Sequence, residues 1–484
     1  MLRALLLVPL LGALAVALLP SRRPEMIRLA ALVANAAALA IAIALAVLFD
    51  PAAAGLQFFE TRPWNPRVGS SFALGIDGVS LPMVVLAALL CLVSTLVSHN
   101  IRSGARLYFS LLLLLEAAML GVFVARDWSL FYVFWELTLI PLFFLIDRMG
   151  GTNRHRAALN FVLYTLGGSV FMLVALLLLY DAAPGHSFAM GDMAAGGRGL
   201  PLATQLLIFA GLFIGFGVKM PVFPLHGWLP LAHVEAPSPV SILLSGVLLK
   251  MGSYGLIRAA ETLPAALLAV QDWLAALALV SLLYGSVLAW RQTDLKRMVA
   301  YSSVAHMGVV LLGIAALNLT GLGGAVFQMT AHGLAAALLF LIVGALYERA
   351  HSRELADIPP LGGLSGGTPR LAALLAIGFL AAAGLPGGAG FVAELQVLVG
   401  GFGRWGGWVA LLSLGVIIGA AYALRVTGRL CLAASPHALP DLDRAETAAA
   451  SVLAAGIVIA GVQPAPLLAL SETTVRGIAQ LFGG

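Results

Sequence analysis

The chain has few charged residues for its size. Of its 484 residues, 10% are Asp, Glu, Lys or Arg and 61% are apolar. A soluble globular protein has about 25% charged and about 45–50% apolar residues. So few charges cannot cover the surface of a compact body of this size. With a mean hydropathy of +1.01 over the whole length, the composition indicates a polytopic membrane protein.

Cysteine and basic clusters are also scarce. The two cysteines, Cys91 and Cys431, lie far apart in apolar sequence, without a CxxC motif or a histidine at metal-ligand spacing. This pattern excludes iron–sulfur ligation, a structural zinc site and a disulfide scaffold. The net charge of +5 comes from arginines scattered between apolar stretches. Such scattering is typical of membrane topology rather than of nucleic-acid binding.

Apolar stretches of about 20 residues, the length of a helix that crosses about 30 Å of hydrocarbon, recur along the chain. The sequence predicts an all-α protein with fourteen transmembrane spans, of which the seventh and twelfth are discontinuous. The first stretch is predicted to be a retained helix, since no signal-peptide cleavage site follows it. The predicted limits are 2–20, 26–49, 76–98, 105–125, 128–147, 157–180, 202–229, 237–260, 265–290, 298–317, 321–347, 371–400, 407–430 and 446–470.

The arginines and lysines between the spans predict the orientation. Sixteen lie in the odd-numbered gaps, and eight lie in the even-numbered gaps and at the termini. Because cytoplasmic loops carry the excess of positive charge, both termini are predicted to face the periplasm.

Two pairs of ionisable residues show the same spacing. Lys219 and Lys250 are 31 residues apart, as are Glu394 and Arg425, and the second pair follows the first by 175 residues. That offset covers five spans, so the second copy would be upside down, as in many secondary transporters. The sequence therefore predicts N-terminal spans in 1–104, a first five-helix repeat (spans 4–8) in 105–261, an inverted second repeat (spans 9–13) in 262–430 and a last span in 431–484.

Ionisable residues within spans are candidate functional residues. A charged side chain at the centre of a membrane helix costs about 2.5–3.5 kcal/mol, so it is retained where it pairs or works. The chain has three lysines, two of them within spans, against 24 arginines. Because Lys can release its proton in a protein and Arg cannot, the pattern favours a proton relay. The residues within spans are Glu116, Glu136, Lys219, Lys250, His306, His332, Glu394 and Arg425.

Other interpretations remain open at this point. Glu136 and Lys219 could form a structural ion pair, and nearby hydroxyl groups could satisfy the buried histidines. His306 and His332 could also ligate a haem. Glu116 has no obvious partner in the sequence, and Arg425 could extend toward the membrane surface.

Two breaks predict water access within the membrane. Two prolines separate Lys219 from His226, and a glycine cluster at 384–390 precedes Glu394. Unwound backbone at membrane depth is tolerated where protein encloses it or where it lines a hydrated cavity. We therefore expect water beside Lys219 and Glu394. His226, at the end of the first break, is a secondary candidate functional residue.

Four motifs show a resemblance to a known family. They are WELTLIP at 135–141, the block at 216–258, the stretch at 294–308 and GLPGGAGFVAEL at 384–395. They resemble the antiporter-like membrane subunits of bacterial NADH:quinone oxidoreductase, respiratory complex I. WELTLIP and the glutamate at position 394 favour the chain M type over its sister chains.

The resemblance implies a proton-translocating subunit of a bacterial inner membrane. It further implies no cofactor or metal in this chain, with NADH, flavin, iron–sulfur clusters and quinone held by partner subunits. The other membrane subunits, especially neighbouring antiporter-like chains, would be its partners. By resemblance Glu136 pairs with Lys219, Lys250 is the central relay, His332 and His306 continue it, and Glu394 lies on the exit side. Asn160 stands where we expect many members to have lysine.

Rival functions follow from the same residues. A homologous subunit of an Mrp-type Na⁺/H⁺ antiporter or of a membrane-bound hydrogenase is the nearest alternative. A haem-bearing electron-transfer anchor and a purely structural spacer are more distant ones.

Overall fold

The chain folds as a bundle of α-helices in the computed structural model, which describes residues 1–363, 366–433 and 439–483. The first half contains α1 (Leu2–Leu18), α2 (Pro24–Leu48), α3 (Ser80–Leu96), α4 (Ala105–Val124), α5 (Trp128–Leu137), α6 (Leu139–Met149), α7 (Arg154–Ala182), α8 (Met190–Arg198), α9 (Leu202–Lys219), α10 (Leu229–Glu235), α11 (Ser238–Leu243) and α12 (Leu249–Thr262). The second half contains α13 (Pro264–Arg291), α14 (Leu295–Ala315), α15 (Leu319–Ala350), α16 (Pro369–Ala382), α17 (Ala389–Trp405), α18 (Leu412–Thr427), α19 (Arg444–Val462) and α20 (Ala465–Gln480).

The helices confirm a polytopic all-α membrane protein. Within the described ranges, eleven helical stretches are long and apolar enough to cross a membrane, and α1, α3 and α16 are shorter apolar helices. The count of fourteen spans, the inverted relation of the two repeats and the four-part division of the chain stay predictions.

Both predicted interruptions are present. The seventh span breaks between α9, which ends at Lys219, and α10. The prolines at 221 and 224 in this break have no N–H to donate to a helix. The twelfth span breaks between α16 and α17, where Gly384 and Gly387 have positive φ angles of 69° and 96°. Glycine adopts such angles without steric penalty, so the two breaks have different local causes.

The most enclosed helices lie at the centre of the bundle. In the 18-residue apolar stretch of each helix, all residues of Ser238–Thr262 are buried, as are 94% of those in α14 and in α15. The buried share is 33% in α2 and 39% in α7. Helices that are apolar all round and fully enclosed form a core, whereas those with one exposed apolar side face lipid. The central helices carry Lys250, His306 and His332.

Two features of the structure were not predicted, a β-hairpin before α3 and a helix break near the C-terminal end. An antiparallel hairpin of β1 (Gln57–Asn65) and β2 (Ser70–Ile76) precedes α3. The last predicted span, 446–470, is wrong at its end, because α19 stops at Val462 and α20 begins after Pro464. Proline disfavours helical backbone in the residue before it. In α20, Thr474 Oγ1 accepts a hydrogen bond from the Gly78 N–H at 3.0 Å, which ties the C-terminal helix to the end of the hairpin.

A buried charge cluster fixes the end of α12 to the start of α3. The Asp77 carboxylate lies 2.6 Å from Arg258 and 3.2 Å from Arg126. We predicted Arg126 and Arg258 to be loop charges that set topology. Their contribution to the topology stays a prediction, and the structure adds that both side chains are buried. Burial alone would raise the pKa of the Asp77 carboxyl, but the two guanidinium groups hold it well below its usual range.

Replacing Asp77 by Asn should destabilise the protein. The substitution removes the carboxylate partner of Arg126 and leaves Arg258 with Glu261 alone, at 2.7 Å. Breaking a buried ion pair from one side costs about 3–5 kcal/mol. Thermal unfolding in mild detergent measures the loss, with exposed Asp181→Asn as the control.

The pH dependence of the same comparison has a definite sign. Because the folded pKa of Asp77 is depressed, its contribution is present above the unfolded value of about 3.9 and is lost as pH falls through the folded value. The difference in stability between wild type and Asp77→Asn should therefore stay constant from about pH 5 to pH 8. A difference that vanishes by the lower of these values would contradict the assignment.

Candidate functional site

Lys219 lies at the first helix break and contacts the junction of two helices. Its Nζ donates a hydrogen bond to Thr138 Oγ1 at 3.0 Å and lies 4.9 Å from the centre of the Trp135 ring. Thr138 joins α5 to α6. A hydroxyl acceptor and an aromatic face both stabilise an ammonium group, so this site holds Lys219 without a direct carboxylate contact.

Glu136 lies between the two residues that contact Lys219. No ion pair within 4.0 Å joins Glu136 to Lys219 in the described part of the chain, and Glu136 Oε1 is buried without a hydrogen-bond partner there. A closed Glu136–Lys219 pair, which the resemblance implied, is therefore not the arrangement seen. Glu136 is next to Trp135 in the chain and two residues before Thr138, the two residues that contact Lys219.

Lys250 lies at the centre of the bundle and contacts a histidine. Its Nζ lies 2.6 Å from His332 Nδ1 and donates a hydrogen bond of 2.6 Å to the Ser245 carbonyl oxygen. Residues Leu244–Leu248, just before Lys250, form a π-helical turn. Such a turn interrupts the normal hydrogen-bond ladder and often marks a functional site. Here it presents the Ser245 carbonyl to the ammonium group five residues later.

The two central histidines continue from Lys250 toward the second break. The rings of His332 and His306 lie 5.1 Å apart between centroids. His306 Nε2 is 3.0 Å from the Ala382 carbonyl oxygen and 3.9 Å from Glu394 Oε1. Ala382 is the last residue of α16, and the final carbonyls of a helix have no partner within it. The break therefore supplies an acceptor to His306 and brings Glu394 beside it.

A small cavity with four polar side chains in its lining lies between the histidines and the break. Its volume is about 10 Å³ and its lining includes Ser302, His306, Gln328 and His332. A cavity of about 10–15 Å³ holds the centre of one water molecule when polar groups surround it. In the described residues, His306 Nδ1, His332 Nε2 and Gln328 Oε1 are buried without a hydrogen-bond partner. These atoms suit a site for bridging water between His332 and His306.

Together these contacts form one line of ionisable groups. Lys250, His332, His306 and Glu394 follow one another on α12, α15, α14 and α17. Each group can hold or pass a proton. With rings 5.1 Å apart and nitrogens bonded to Lys250 and Ala382, the histidine pair has no space for a haem macrocycle between its rings.

Two buried residues near this line were missed from the sequence. His233 in α10 is fully buried and stacks on Phe340 at 4.4 Å between ring centroids. Lys296 was counted among the loop charges, but it is buried in α14 and its Nζ donates to the Ala236 carbonyl oxygen at 2.8 Å. The residue type of Lys296 could have indicated a buried position, since the other two of the three lysines in the chain lie within spans.

Other sequence candidates lie apart from the line in the described contacts. Glu116 in α4 is buried with both carboxylate oxygens unpartnered among the described residues. His226 packs its ring against Phe223 and Tyr284. Arg425 donates to the Gln292 carbonyl oxygen at 2.8 Å.

The position expected to hold lysine in many relatives has no polar contact here. Asn160 is half-buried on α7. Thr138 and Trp135 therefore supply the contacts to Lys219 that the structure gives, and none comes from Asn160.

Comparisons with known proteins place this bundle in a family. Residues 125–419 match the family described as NADH:quinone oxidoreductase/Mrp antiporter, transmembrane. A curated relative, NAD(P)H-quinone oxidoreductase chain 4 2 of Thermosynechococcus vestitus, is 39% identical over 100% of this chain and 92% of its own length.

Solved structures show the same fold. A chain of respiratory complex I from Thermus thermophilus with bound NADH superposes with a TM-score of 0.90 at 32% identity over 100% of both chains. A chain of the Mrp complex from Dietzia sp. has a TM-score of 0.87 at 22% identity over 98% of this chain and 97% of its own. The resemblance drawn from the sequence motifs is confirmed, and the chain belongs to the NADH:quinone oxidoreductase/Mrp antiporter family of transmembrane proteins, as an antiporter-like subunit of the complex I type.

Proposed function

We propose that this chain is the proton-translocating, chain M-type membrane subunit of an NADH:quinone oxidoreductase. The observation that carries the proposal is the 2.6 Å contact between Lys250 and His332, at the start of a buried line that ends at Glu394. A lysine and an imidazole this close share one proton more readily than they hold two, because two positive charges in an apolar core repel each other strongly. The relatives named NAD(P)H-quinone oxidoreductase chain 4 support the same assignment.

The first step involves Glu136 and Lys219. A carboxylate near a buried ammonium group favours its charged form, and burial without the carboxylate disfavours it. Movement of Glu136 toward Lys219 would retain the proton, and movement away would release it toward Lys250. Thr138, which receives the Lys219 hydrogen bond, would hold the ammonium group in place while the carboxylate moves.

The second step runs from Lys250 to Glu394. Lys250 passes its proton to His332, since the two nitrogens are already at hydrogen-bond distance. The proton then moves through the small cavity to His306 and on to Glu394, which is 3.9 Å away. The broken helix beside Glu394 provides release to the water on that side.

The proposal includes the setting of the subunit. Redox chemistry would occur entirely in partner subunits, which would hold NADH, flavin, iron–sulfur clusters and quinone. The partners include neighbouring antiporter-like chains in a bacterial inner membrane, with both termini of this chain on the periplasmic side. The excess of arginine in the odd-numbered gaps supports that orientation.

Removing the relay groups should lower proton pumping. In the assembled complex, Lys219→Ala, Lys250→Ala and Glu136→Ala should each reduce the number of protons moved per electron, because each change removes a site that holds or controls the proton. Pumping into membrane vesicles and NADH oxidation are measured together. Asp181→Asn, at an exposed position, is the control. An unchanged stoichiometry in all three alanine variants would falsify the proposal.

Lys250→Arg should lower the stoichiometry as far as Lys250→Ala does. Arginine keeps the positive charge but does not release its proton in a protein. If the arginine variant pumps at the wild-type ratio in the same vesicles, Lys250 supplies only a static charge and the relay is wrong.

Thr138→Val should impair pumping while leaving assembly intact. Valine has the shape of threonine but no hydroxyl, so Lys219 loses a hydrogen bond to a charged group worth about 1.5–3 kcal/mol. Thr138→Ser keeps the oxygen and should behave as wild type. The stoichiometry of pumping and native gel electrophoresis separate a transport defect from an assembly defect.

NADH:quinone reductase activity in the complex that contains this chain separates the proposal from its nearest rivals. We expect NADH-driven quinone reduction to co-purify with the chain in mild detergent. Recovery of Na⁺/H⁺ exchange or hydrogenase activity, without any NADH oxidation, would assign the chain to an Mrp-type antiporter or a membrane-bound hydrogenase instead.

A further inference from the structure

An apolar groove runs between the first two helices on the outside of the bundle. Its volume is about 580 Å³. Gly12 in α1 lies so close to Ala34 in α2 that a side chain at position 12 would clash with Ala34, and this close approach forms the floor of the groove. Leu11, Leu29 and Val33 are each about three-fifths exposed along its edges. The lining is Val8, Leu11, Gly12, Ala15, Leu19, Met26, Leu29, Ala30, Val33, Ala34 and Ala37.

A basic pocket adjoins one end of this groove. Its volume is about 560 Å³, and its lining includes Arg28, His99 and Arg102 together with Glu25. Leu29 lines both the groove and the pocket. The pocket lies where α2 begins and α3 ends, the side on which the gap arginines are concentrated. Apolar and cationic surfaces are therefore continuous.

Arg28 in the pocket has a hydrogen-bond donor that the described residues do not use. Arg28 Nη2 donates to the Leu96 carbonyl oxygen at 2.9 Å, but its Nε is buried without a partner among the described residues. Arginine Nε always carries a hydrogen. His99 Nε2 lies 3.2 Å from Asp443, so this imidazole already has a partner in the protein. An unpaired buried donor of this kind favours an external acceptor.

We propose that the groove and pocket bind one anionic diacyl phospholipid. The acyl chains would lie in the groove, and the phosphate would accept hydrogen bonds from Arg28 and Arg102. Basic pockets beside membrane helices bind anionic headgroups in this way, and arginine matches the geometry of phosphate oxygens. Among the residues that line the pocket, two arginines outnumber the one glutamate, and the nearby Asp443 is paired with His99. The pocket therefore complements an anionic lipid better than a zwitterionic one. This site is separate from the proton line and does not depend on the proposed transport function.

Native mass spectrometry of the purified intact complex tests the headgroup. The probes are phosphatidylglycerol and phosphatidylcholine with identical acyl chains. Binding of phosphatidylglycerol should exceed that of phosphatidylcholine, and Arg28→Gln and Arg102→Gln should each weaken it about fivefold, the effect of one basic residue near a charged lipid. Arg106→Gln is the control, because Arg106 is exposed on the same side but does not line the pocket. Equal binding of the two lipids, or no change in either pocket variant, would overturn the proposal.

A second measurement tests the groove and its occupant. Ala15→Trp fills the groove from α1 and should displace phosphatidylglycerol, whereas Leu207→Trp, at an exposed position outside the groove, should not. A photo-crosslinking residue in place of Leu29 should add the mass of a lipid. A cross-link from that position to another protein chain would show that a partner subunit's helix covers the groove, and the lipid site would be wrong.

Discussion

The contact between Lys250 and His332 is the interaction on which the central bundle depends. A fully buried ammonium group among apolar helices needs partners, because an isolated charge is costly in such surroundings. Its partners are an imidazole nitrogen and one backbone carbonyl, each at 2.6 Å. Neither is a carboxylate, and no described residue forms an ion pair with Lys250. The proposed relay requires a lysine proton that no fixed ion pair holds, and this arrangement meets that requirement.

Interrupted helices supply what the relay needs. The π-helical turn before Lys250 presents the Ser245 carbonyl, and the break after α16 presents the Ala382 carbonyl to His306. A regular helix would use both carbonyl groups within its own ladder. The two larger breaks, where we expect water, have the same effect, since Trp228 Nε1 donates to the Val218 carbonyl oxygen at the first of them. They expose backbone acceptors where buried side chains need them.

Much of the fold and most of the line could be predicted from the sequence, because in an apolar chain each charge stands out. Glu136, Lys219, Lys250, His306, His332 and Glu394 were found this way. Prediction failed for charged residues near the ends of spans. Arg126, Arg258 and Lys296 lie in the predicted gaps of the sequence, but their side chains are buried in the folded chain. The π-helical turn was not predicted either, because Leu244–Leu248 contains no proline to indicate it. The hairpin was not predicted, because long apolar stretches identify membrane spans but not strands, whose signal is an alternation of apolar and polar residues.

The junction between Lys219 and Lys250 has no chain of hydrogen bonds among the described residues, but the helices that carry the two lysines are closely packed. Gly252, two residues after Lys250, packs so tightly against the backbone of Phe216 and Met220 that no side chain would fit there. Helices α9 and α12 are therefore in direct contact beside both lysines. Two positive charges in an enclosed apolar region interact far more strongly than in water. In the proposed mechanism this interaction would couple the charge of Lys219 to that of Lys250, and Glu136 would act on the central line by setting the charge of Lys219.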